Sequence, residues 1–325
     1  MNDPLAPWNL GFGRERPDLF IPGSPERCIA RRVVEDAGGG LWVLERIAPG
    51  QAARREALGR LLAALAAAGL AQACAYRPCA DGFTAGFTDG FNGGRYVARD
   101  DGDGGALWQI SPFVAGEPLD APGYTAQDLP GEELADVLAR LARAAQAASA
   151  SGDMGTMPED LGAFSPAAYV DKLLSDVRRH APDIHVRAAA LAVAVRPFLD
   201  QEPELPRVLC HGDLHPQNAV WRGGRILAVI DWEFAGLRHA LYDIANTLGC
   251  LGIENPDTFR RGAGAAMLRR LAAEGLLPAS LRPLLPAAIL ASRFAWLSEW
   301  LRKGDSEMVA MELDYMELLG RSCGA

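Results

Sequence analysis

The sequence predicts an α+β fold with a small, strand-rich N-terminal lobe, residues 1–113, and a larger, mainly helical C-terminal lobe, residues 114–325. Two short β-like runs, 28–35 and 41–47, flank an Ala-Gly-Gly-Gly stretch at 37–40, which is typical of a β-hairpin. After residue 113 the composition shifts to alanine- and leucine-rich segments with helical spacing. These observations together favour one strand-rich and one helical lobe.

The rest of the N-terminal lobe is predicted to contain one helix and further strands. Leucines recur at helical spacing over residues 51–69, and Gly69 stands where the helix would end. The glycine-rich stretch 81–105 indicates hairpins, because glycine and aspartate supply the positive φ that turns need. Within and after it, residues 95–99 and 106–114 are predicted strands.

The C-terminal lobe is predicted to consist mainly of helices, because its apolar residues follow helical periodicity. Two short apolar strands, 207–210 and 226–230, interrupt the helices. The predicted helices span residues 132–150, 166–179, 186–199, 243–251, 257–274, 286–302 and 307–319.

Composition excludes several classes of protein. The chain has 325 residues, 49% of them hydrophobic and 22% charged, which is typical of a soluble globular protein. A net charge of −9 argues against a nucleic-acid partner, since phosphate backbones select basic surfaces. No apolar run approaches the roughly 20 residues of a membrane span, so no membrane partner is expected. The six cysteines are scattered without a CxxC pair, which indicates reduced thiols and a cytoplasmic location. Composition leaves the oligomeric state open.

The stretch 208–236 carries the residues suited to chemistry. An apolar strand leads into a His-Gly-Asp sequence ending at Asp213, Asn218 follows, and a second apolar strand ends on Asp231. Phosphoryl transfer needs a carboxylate near the attacking hydroxyl, oxygen ligands for magnesium and groups that hold the phosphates. The Gly-Gly turn between the two strands would bring Asp231 back beside Asn218, and magnesium prefers such oxygen ligands.

The sequence HGDLHPQN followed by VIDWEFAG resembles the catalytic loop and metal segment of the aminoglycoside phosphotransferase, choline kinase and type II homoserine kinase superfamily. That superfamily is similar to protein kinases, in which the counterparts are H-R-D-x-x-x-x-N and D-F-G. Here tryptophan and glutamate follow the metal-segment aspartate in place of phenylalanine and glycine. The resemblance implies a protein-kinase-like bilobal fold and ATP-dependent transfer of the γ-phosphate to a hydroxyl of a small molecule.

The same resemblance implies roles for individual residues. Asp213 would be the catalytic base, and Asn218 and Asp231 would hold Mg²⁺ beside ATP. His211 and His215 would brace the loop through hydrogen bonds without touching substrate.

Asp243, in LYDIAN, matches the superfamily's aspartate at the start of the next helix. Its implied role is to pin the catalytic loop. An ordinary helix N-terminal carboxylate is the alternative interpretation.

The lysine that members of the superfamily carry in the strand after the hairpin has no counterpart here. The strand reads LWVLERI, with Glu45 or Arg46 at that position, and the first lysine of the chain is Lys172. Alternation places the two side chains on opposite faces, so only one can face phosphate. A carboxylate would repel phosphate, which favours Arg46, whereas alignment on the apolar residues favours Glu45. Glu56 matches the lysine's usual partner glutamate, with a solvated helix carboxylate as the alternative.

Two further segments are assigned to the nucleotide by resemblance. ISPFVAGEPL is similar to the strand and hinge that join the lobes, so the carbonyl of Pro112 and the amide of Val114 would hold adenine. A buried strand followed by a turn is the plainer interpretation. The turn at 22–27 would cover the nucleotide, but it lacks GxGxxG and equally fits an ordinary surface turn.

Two other classes of function stay open at this point. A metallohydrolase would use the cluster His211, Asp213 and His215, completed by Cys210, Asp231 or His239. The missing lysine supports a second alternative, in which the protein is a nucleotide-binding pseudokinase or regulator.

The acceptor is expected to be an aminoglycoside, an amino alcohol, a homoserine-like amino acid or a sugar. Trp296 and Trp300 lie one helical turn apart and could enclose an amine or stack on a sugar, or could be core packing. Glu299, Glu312 and Asp314 could hold an amino group or lie on solvated helix faces.

Overall fold

The computed structural model describes residues 3–21, 28–80, 95–100, 104–152, 161–162 and 164–322. The chain forms two compact units from interleaved segments. The first contains Met1–Pro118, Arg140–Gly162 and Gln217–Ala235, and the second contains Leu119–Ala139, Ala163–Pro216 and Gly236–Ala325. The first unit therefore includes the second half of the 208–236 motif. The predicted turn at 22–27 and most of the stretch 81–105 lie outside the described residues.

An antiparallel sheet with the strand order β1-β2-β3-β5-β4 is the main feature of the first unit. Its strands are β1 (Phe12–Glu15), β2 (Ala30–Asp36), β3 (Leu41–Ile47), β4 (Ala98–Asp100) and β5 (Ala106–Pro112). In the turn between β2 and β3, the Asp36 carboxylate accepts hydrogen bonds from the N–H groups of Gly38 and Gly40, each at 2.8 Å. The indole N–H of Trp42 donates to the same carboxylate at 2.8 Å. The predicted hairpin is confirmed.

Helix α1 (Ala52–Ala67) also belongs to the first unit. The four leucines that predicted it, Leu58, Leu61, Leu62 and Leu65, are each 0% exposed. Their spacing puts them on one face of the helix, where burial of each side chain contributes about 2 kcal/mol. Just beyond the last turn, Gly69 adopts φ +98°, a conformation that favours glycine and ends the helix.

A second hairpin in the first unit is formed by β7 (Ala219–Arg222) and β8 (Arg225–Val229). Its turn consists of Gly223 and Gly224, whose φ values are +55° and +75°. Two successive residues with positive φ match the turns that suit the twist of a hairpin. The turn predicted from the Gly-Gly pair is therefore confirmed.

The second unit is mainly helical, in agreement with the predicted fold class. A short antiparallel pair, β6 (Arg207–Cys210) and β9 (Gly236–His239), lies among its helices. The helices are α2 (Asp128–Ala150, of which the first half belongs here), α3 (Pro166–His180), α4 (Pro182–Gln201), α5 (Tyr242–Glu254), α6 (Ala263–Ala273), α7 (Leu285–Lys303) and α8 (Ser306–Ser322). In the described part of the chain, none of the helices is long and apolar enough to cross a membrane.

One predicted helix, 257–274, is wrong in extent. The structure has a short 3₁₀ turn, Pro256–Phe259, followed by a separate helix α6. Between them Gly262 adopts φ +76°, which an α-helix cannot accommodate. The hydroxyl of Thr258 accepts a hydrogen bond from the N–H of Gly264 at 2.8 Å and so caps the start of α6. Periodicity alone does not detect this break.

Strand β9 carries a buried histidine, His239, whose ring lies edge-on to Phe198 and Tyr242 with centroids 5.5 Å apart in both cases. Its Nδ1 is buried and has no hydrogen-bond partner among the described residues. Burial, helped by the positive charges of Arg207 and Arg238, lowers the pKa of His239 to about 4. The folded protein therefore holds this ring neutral.

We expect this histidine to make stability depend on pH. Below its ordinary pKa of 6.5 the unfolded chain binds a proton that the folded chain does not, so the free energy of unfolding falls as pH decreases towards about 4. The contribution should be about 2 kcal/mol between about pH 7 and about pH 4.5. Urea unfolding of the wild type and His239→Phe at both pH values measures it. An equal pH slope in the two proteins would contradict this assignment.

Candidate active site

The loop after β6 carries the His-Gly-Asp sequence and is fixed by helix α5. The Asp243 carboxylate, 3% exposed, accepts hydrogen bonds from the backbone N–H groups of His211 at 2.7 Å and Gly212 at 2.9 Å. Burial raises the pKa of Asp243, and the two backbone N–H donors oppose that rise. Gly212 adopts φ +86°, so the chain turns sharply just before Asp213. Asp243 therefore holds the loop, and does more than an ordinary helix N-terminal carboxylate.

Helix α5 also holds the residue on the other side of Asp213. The carbonyl of Leu214 accepts hydrogen bonds from the Asn246 side-chain amide at 3.1 Å and the Thr247 hydroxyl at 2.9 Å. Asp243, Asn246 and Thr247 lie at helical positions i, i+3 and i+4, so they share one face. Asn246 and Thr247 are not among the residues predicted from the sequence, although this spacing within LYDIANT was the available signal.

Asp213 itself is partly accessible within the second unit, with a side chain 21% exposed. Its N–H donates to His211 Nδ1 at 3.2 Å, and its Oδ2 lies 3.8 Å from His215 Nε2. The ring of His215 packs edge-on against Trp296 with centroids 5.3 Å apart. Both histidines thus lie beside Asp213, and His211 accepts a hydrogen bond within the loop. A positioned carboxylate on such a loop can accept a proton from a hydroxyl.

Asn218 and Asp231 come together at the open end of the second hairpin. The carbonyl of Asn218 accepts a hydrogen bond from the N–H of Ile230 at 2.9 Å, next to the Ala219–Val229 pair of the ladder. Asn218 is 3% exposed, and Asp231 adopts φ +63° directly after β8. Aspartate tolerates this left-handed conformation better than most residues. The hairpin therefore brings the backbone of Asn218 next to that of Ile230, the residue before Asp231.

These two side chains fit a magnesium ion. Magnesium is usually held by one or two protein oxygen ligands together with water and substrate phosphates, so it needs no larger cluster. Across the described residues, no three His, Cys, Asp or Glu side chains gather to hold a metal. The set of ligands proposed for a metallohydrolase, which includes Cys210 and His239, therefore does not assemble in this part of the chain.

A cavity in the first unit contains the predicted hinge. Its lining includes Pro112 and Val114, apolar side chains, the charged side chains of Arg31, Glu45 and Arg55, and Asp231. The predicted adenine contacts and one predicted metal ligand thus border one cavity, which combines an apolar part with charged groups. The segment after the hinge is held by β7, where the N–H of Glu117 donates to the carbonyl of Trp221 at 2.7 Å.

Of the two candidate residues on β3, Glu45 lines this cavity and Arg46 does not. Successive side chains of a strand point to opposite faces, so Arg46 lies on the other face of the sheet. There its guanidinium is 5.9 Å from the centre of the Trp108 ring. Positive charge and the guanidinium fork favour Arg46 as the phosphate contact, but the structure places that residue away from the cavity.

Glu56, the predicted partner of the cation on the strand, instead binds backbone N–H groups. Its carboxylate accepts hydrogen bonds from the backbone N–H groups of Tyr96, at 3.1 and 3.2 Å, and Val97, at 2.9 Å. It is 3% exposed, and burial raises its pKa. Glu56 is therefore neither a solvated carboxylate nor one of the residues lining the cavity.

Arg54, two residues before Glu56, was not recognised in the sequence. Its guanidinium donates to the carbonyls of Glu233, at 2.5 and 2.8 Å, and Ala235, at 3.2 Å, and to that of Leu161. Arg54 thereby ties helix α1 to the segment that follows Asp231.

The tryptophan pair on α7 is tied into the helical unit. Trp296 and Trp300 have ring centroids 5.7 Å apart. The Trp296 indole donates to the Asn246 side chain at 2.9 Å, and that of Trp300 donates to Glu312 at 3.3 Å. Glu312 is 0% exposed and receives two hydrogen bonds of 2.7 Å from Arg293. Glu312 is therefore part of a buried ion pair and not of a solvated helix face.

We expect the replacement of Asp243 by asparagine to affect both stability and turnover. One of two hydrogen bonds to a charged acceptor is lost, which should lower the free energy of unfolding by about 2 kcal/mol. Turnover should fall because the loop that carries Asp213 is held less firmly. Urea unfolding and steady-state kinetics measure these effects. The control is Asp183→Asn, at an exposed carboxylate in the first turn of α4. If both variants lost the same stability and turnover, Asp243 would act only as a charge at the end of its helix.

The structure is similar to solved kinase-like phosphotransferases. A macrolide 2′-phosphotransferase from Brachybacterium faecium superposes with a TM-score of 0.54 at 20% identity, covering 96% of each chain. An amicoumacin kinase, solved with AMP-PNP and Ca²⁺, superposes with a TM-score of 0.60 at 14% identity, covering 96% of this chain and 90% of that one. The predicted protein-kinase-like fold is confirmed.

The family model of the phosphotransferase enzyme family matches residues 30–284. The chain belongs to that phosphotransferase enzyme family. Among curated relatives, a homoserine kinase of Gluconacetobacter diazotrophicus is 28% identical over 232 residues, 69% of this chain and 70% of that relative. A homoserine kinase of Methylocella silvestris is 34% identical over 115 residues, so this chain spans only 34% of that relative's length.

Proposed function

We propose that this protein is a small-molecule kinase that transfers the γ-phosphate of ATP to a hydroxyl group. The observation that carries the proposal is the loop of Asp213, held on both sides by α5 through Asp243, Asn246 and Thr247. A carboxylate held this firmly is suited to orient a hydroxyl and accept its proton. Membership of the phosphotransferase family supports the same reaction.

The nucleotide is proposed to bind in the cavity of the first unit. Pro112 offers a carbonyl, and its lack of an N–H costs nothing where only an acceptor is used. Val114 offers a backbone amide, and neighbouring apolar side chains suit a purine ring. Asn218 and Asp231 would hold Mg²⁺, which when bound neutralises charge on the phosphates. The solved amicoumacin kinase, in complex with AMP-PNP and Ca²⁺, is consistent with a nucleotide and a divalent cation in this fold.

The acceptor is proposed to be a small hydroxyl compound, with homoserine and amino alcohols as first choices. This choice is supported by the homoserine kinases among the relatives and by a choline/ethanolamine kinase family protein from Mesorhizobium loti with a TM-score of 0.55. Measuring ADP formation with ATP, Mg²⁺ and homoserine, choline, ethanolamine, an aminoglycoside or a macrolide would identify it. The proposal predicts Mg²⁺-dependent ADP formation that rises with one of these acceptors. ADP formation that is independent of Mg²⁺ would contradict it.

A nucleotide-binding regulator without transferase activity is the second candidate. The observation that favours it is Glu45, a carboxylate in the cavity at the position where the superfamily carries lysine. This candidate predicts ATP binding with no γ-phosphate transfer to any hydroxyl. Measuring ATP affinity alongside ADP formation separates the two functions.

A further inference from the structure

The cavity of the first unit contains an ion pair built around Glu45. This side chain is 5% exposed, and its strand position pairs with Arg31 on β2 and with Gln109 on β5. Arg31 Nε donates to Glu45 Oε1 at 2.7 Å, and Gln109 Nε2 donates to Oε2 at 2.6 Å. Both carboxylate oxygens are therefore held by donors from the adjacent strands.

A second arginine reaches the same cavity from helix α1. The guanidinium of Arg55, whose side chain is 6% exposed, donates to the Tyr76 hydroxyl at 3.2 Å and lies 3.7 Å from the Glu233 carboxylate. Burial raises the pKa of Glu45, but the positive charges of Arg31 and Arg55 and the amide of Gln109 outweigh it and leave that pKa below its ordinary value. Glu45 is therefore ionised, with Arg31 hydrogen-bonded to it and Arg55 lining the same cavity.

In a strand lysine paired with a helix glutamate, the positive charge is on the strand. Here the positions of the charges are exchanged, because the carboxylate of Glu45 is on the strand and the guanidinium of Arg55 is on the helix. The charges of the two arginines balance those of Glu45 and Glu233. A guanidinium carries five N–H donors, so it can hold a carboxylate and still donate to a phosphate oxygen. On β3, Glu45 lies three residues beyond Trp42, which pairs with Pro112 of the hinge. That separation is about 10 Å, so the charged part of the cavity is set apart from the hinge.

We propose that Arg31 and Arg55 together contact the phosphates of ATP in place of the missing lysine, with Glu45 orienting Arg31 and with Tyr76 and Glu233 holding Arg55. This inference rests on the proposed function. Arginine stays charged throughout the working pH range and can grip phosphate oxygens with two parallel hydrogen bonds. The carboxylate of Glu45 would by itself repel phosphate. Here it holds Arg31, which is one of the two proposed phosphate contacts.

The test compares the affinities of three single variants for ATP and for adenosine, measured by calorimetric titration in the presence of Mg²⁺. Arg31→Gln and Arg55→Gln should each weaken ATP binding about 10- to 100-fold and leave adenosine binding unchanged. Arg46→Gln is the matched control, since it removes the same charge from the opposite face of the same sheet and should leave ATP affinity unchanged. Arg31→Lys and Arg55→Lys keep the positive charge, so each should bind ATP more tightly than the corresponding glutamine variant.

The outcomes separate this inference from the proposed function. If the wild type binds ATP but the Arg31 and Arg55 variants lose no more affinity than Arg46→Gln, the inference is overturned and the kinase proposal stands. Equal losses for adenosine and ATP would show that the two arginines only shape the cavity, which also overturns it. A wild type that binds no ATP would overturn the proposed function itself. Thermal unfolding without nucleotide checks that each variant is folded, and the lysine variants provide the comparison if a glutamine variant is not.

Discussion

Replacement of Asp213 by asparagine is expected to lower turnover about 10²- to 10⁴-fold, the range of a lost general base. The amide has nearly the same shape, so the loop held by Asp243 should keep its conformation. The affinity for ATP should stay nearly unchanged, because the change raises the barrier of the chemical step without removing contacts to the bound nucleotide. Steady-state kinetics gives the turnover, and calorimetric titration gives the ATP affinity.

The control for this variant is Asp200→Asn, the same substitution at an exposed position of α4. It should leave turnover and ATP affinity at wild-type values. If Asp213→Asn retained full turnover, Asp213 would not be the base. If it lost ATP affinity as much as turnover, the residue would act on binding and not on proton transfer.

Replacement of Asp231 by asparagine is expected to act on magnesium-dependent binding. Asparagine tolerates the left-handed conformation that Asp231 adopts at φ +63°, so the hairpin should remain intact. Loss of the anionic ligand should lower kcat/KM at least about 100-fold, the scale of one lost electrostatic contact to the transferring phosphate. The KM for ATP should rise as well, which distinguishes this variant from Asp213→Asn.

Titration of ATP with and without Mg²⁺ isolates the role of the ion. Wild type and Asp231→Asn should bind ATP equally in the absence of Mg²⁺ and differ once Mg²⁺ is added. Asp18→Asn, at an exposed carboxylate of the same unit, should match the wild type in both conditions. A Mg²⁺ effect of the same size in Asp231→Asn and the wild type would contradict the assignment of Asp231 as a metal ligand.

Local patterns in the sequence predicted much of this fold. The leucines of α1 and the Gly-Gly turn between β7 and β8 are governed by residues close together in the chain, so spacing and backbone preference were sufficient. The break at Gly262 was missed because one glycine inside an apolar periodic stretch is also compatible with a continuous helix. The short strands β1, β7 and β9 have four residues each, too few to show a clear alternation.

The residues of the candidate site that lie close together in the sequence could be predicted. The contacts between residues that are distant in the sequence could not. The segment from Asp213 to Asp231 stood out because its order and spacing are distinctive. The environment of Glu45 did not stand out in the sequence. Arg31, which donates a hydrogen bond to it, comes from a different strand, and Arg55, whose charge acts on it, comes from a helix. A general preference for positive charge near phosphate therefore selected Arg46, the nearest cation in sequence.

Asp213 is proposed to assist transfer of the γ-phosphate of ATP to a hydroxyl. The most direct test is incubation of γ-labelled ATP and Mg²⁺ with homoserine, choline, ethanolamine, an aminoglycoside or a macrolide, followed by separation of labelled products. The wild type is expected to label at least one acceptor only when Mg²⁺ is present, and Asp213→Asn is expected to label none at a comparable rate. Equal labelling by Asp213→Asn and the wild type would contradict this proposal.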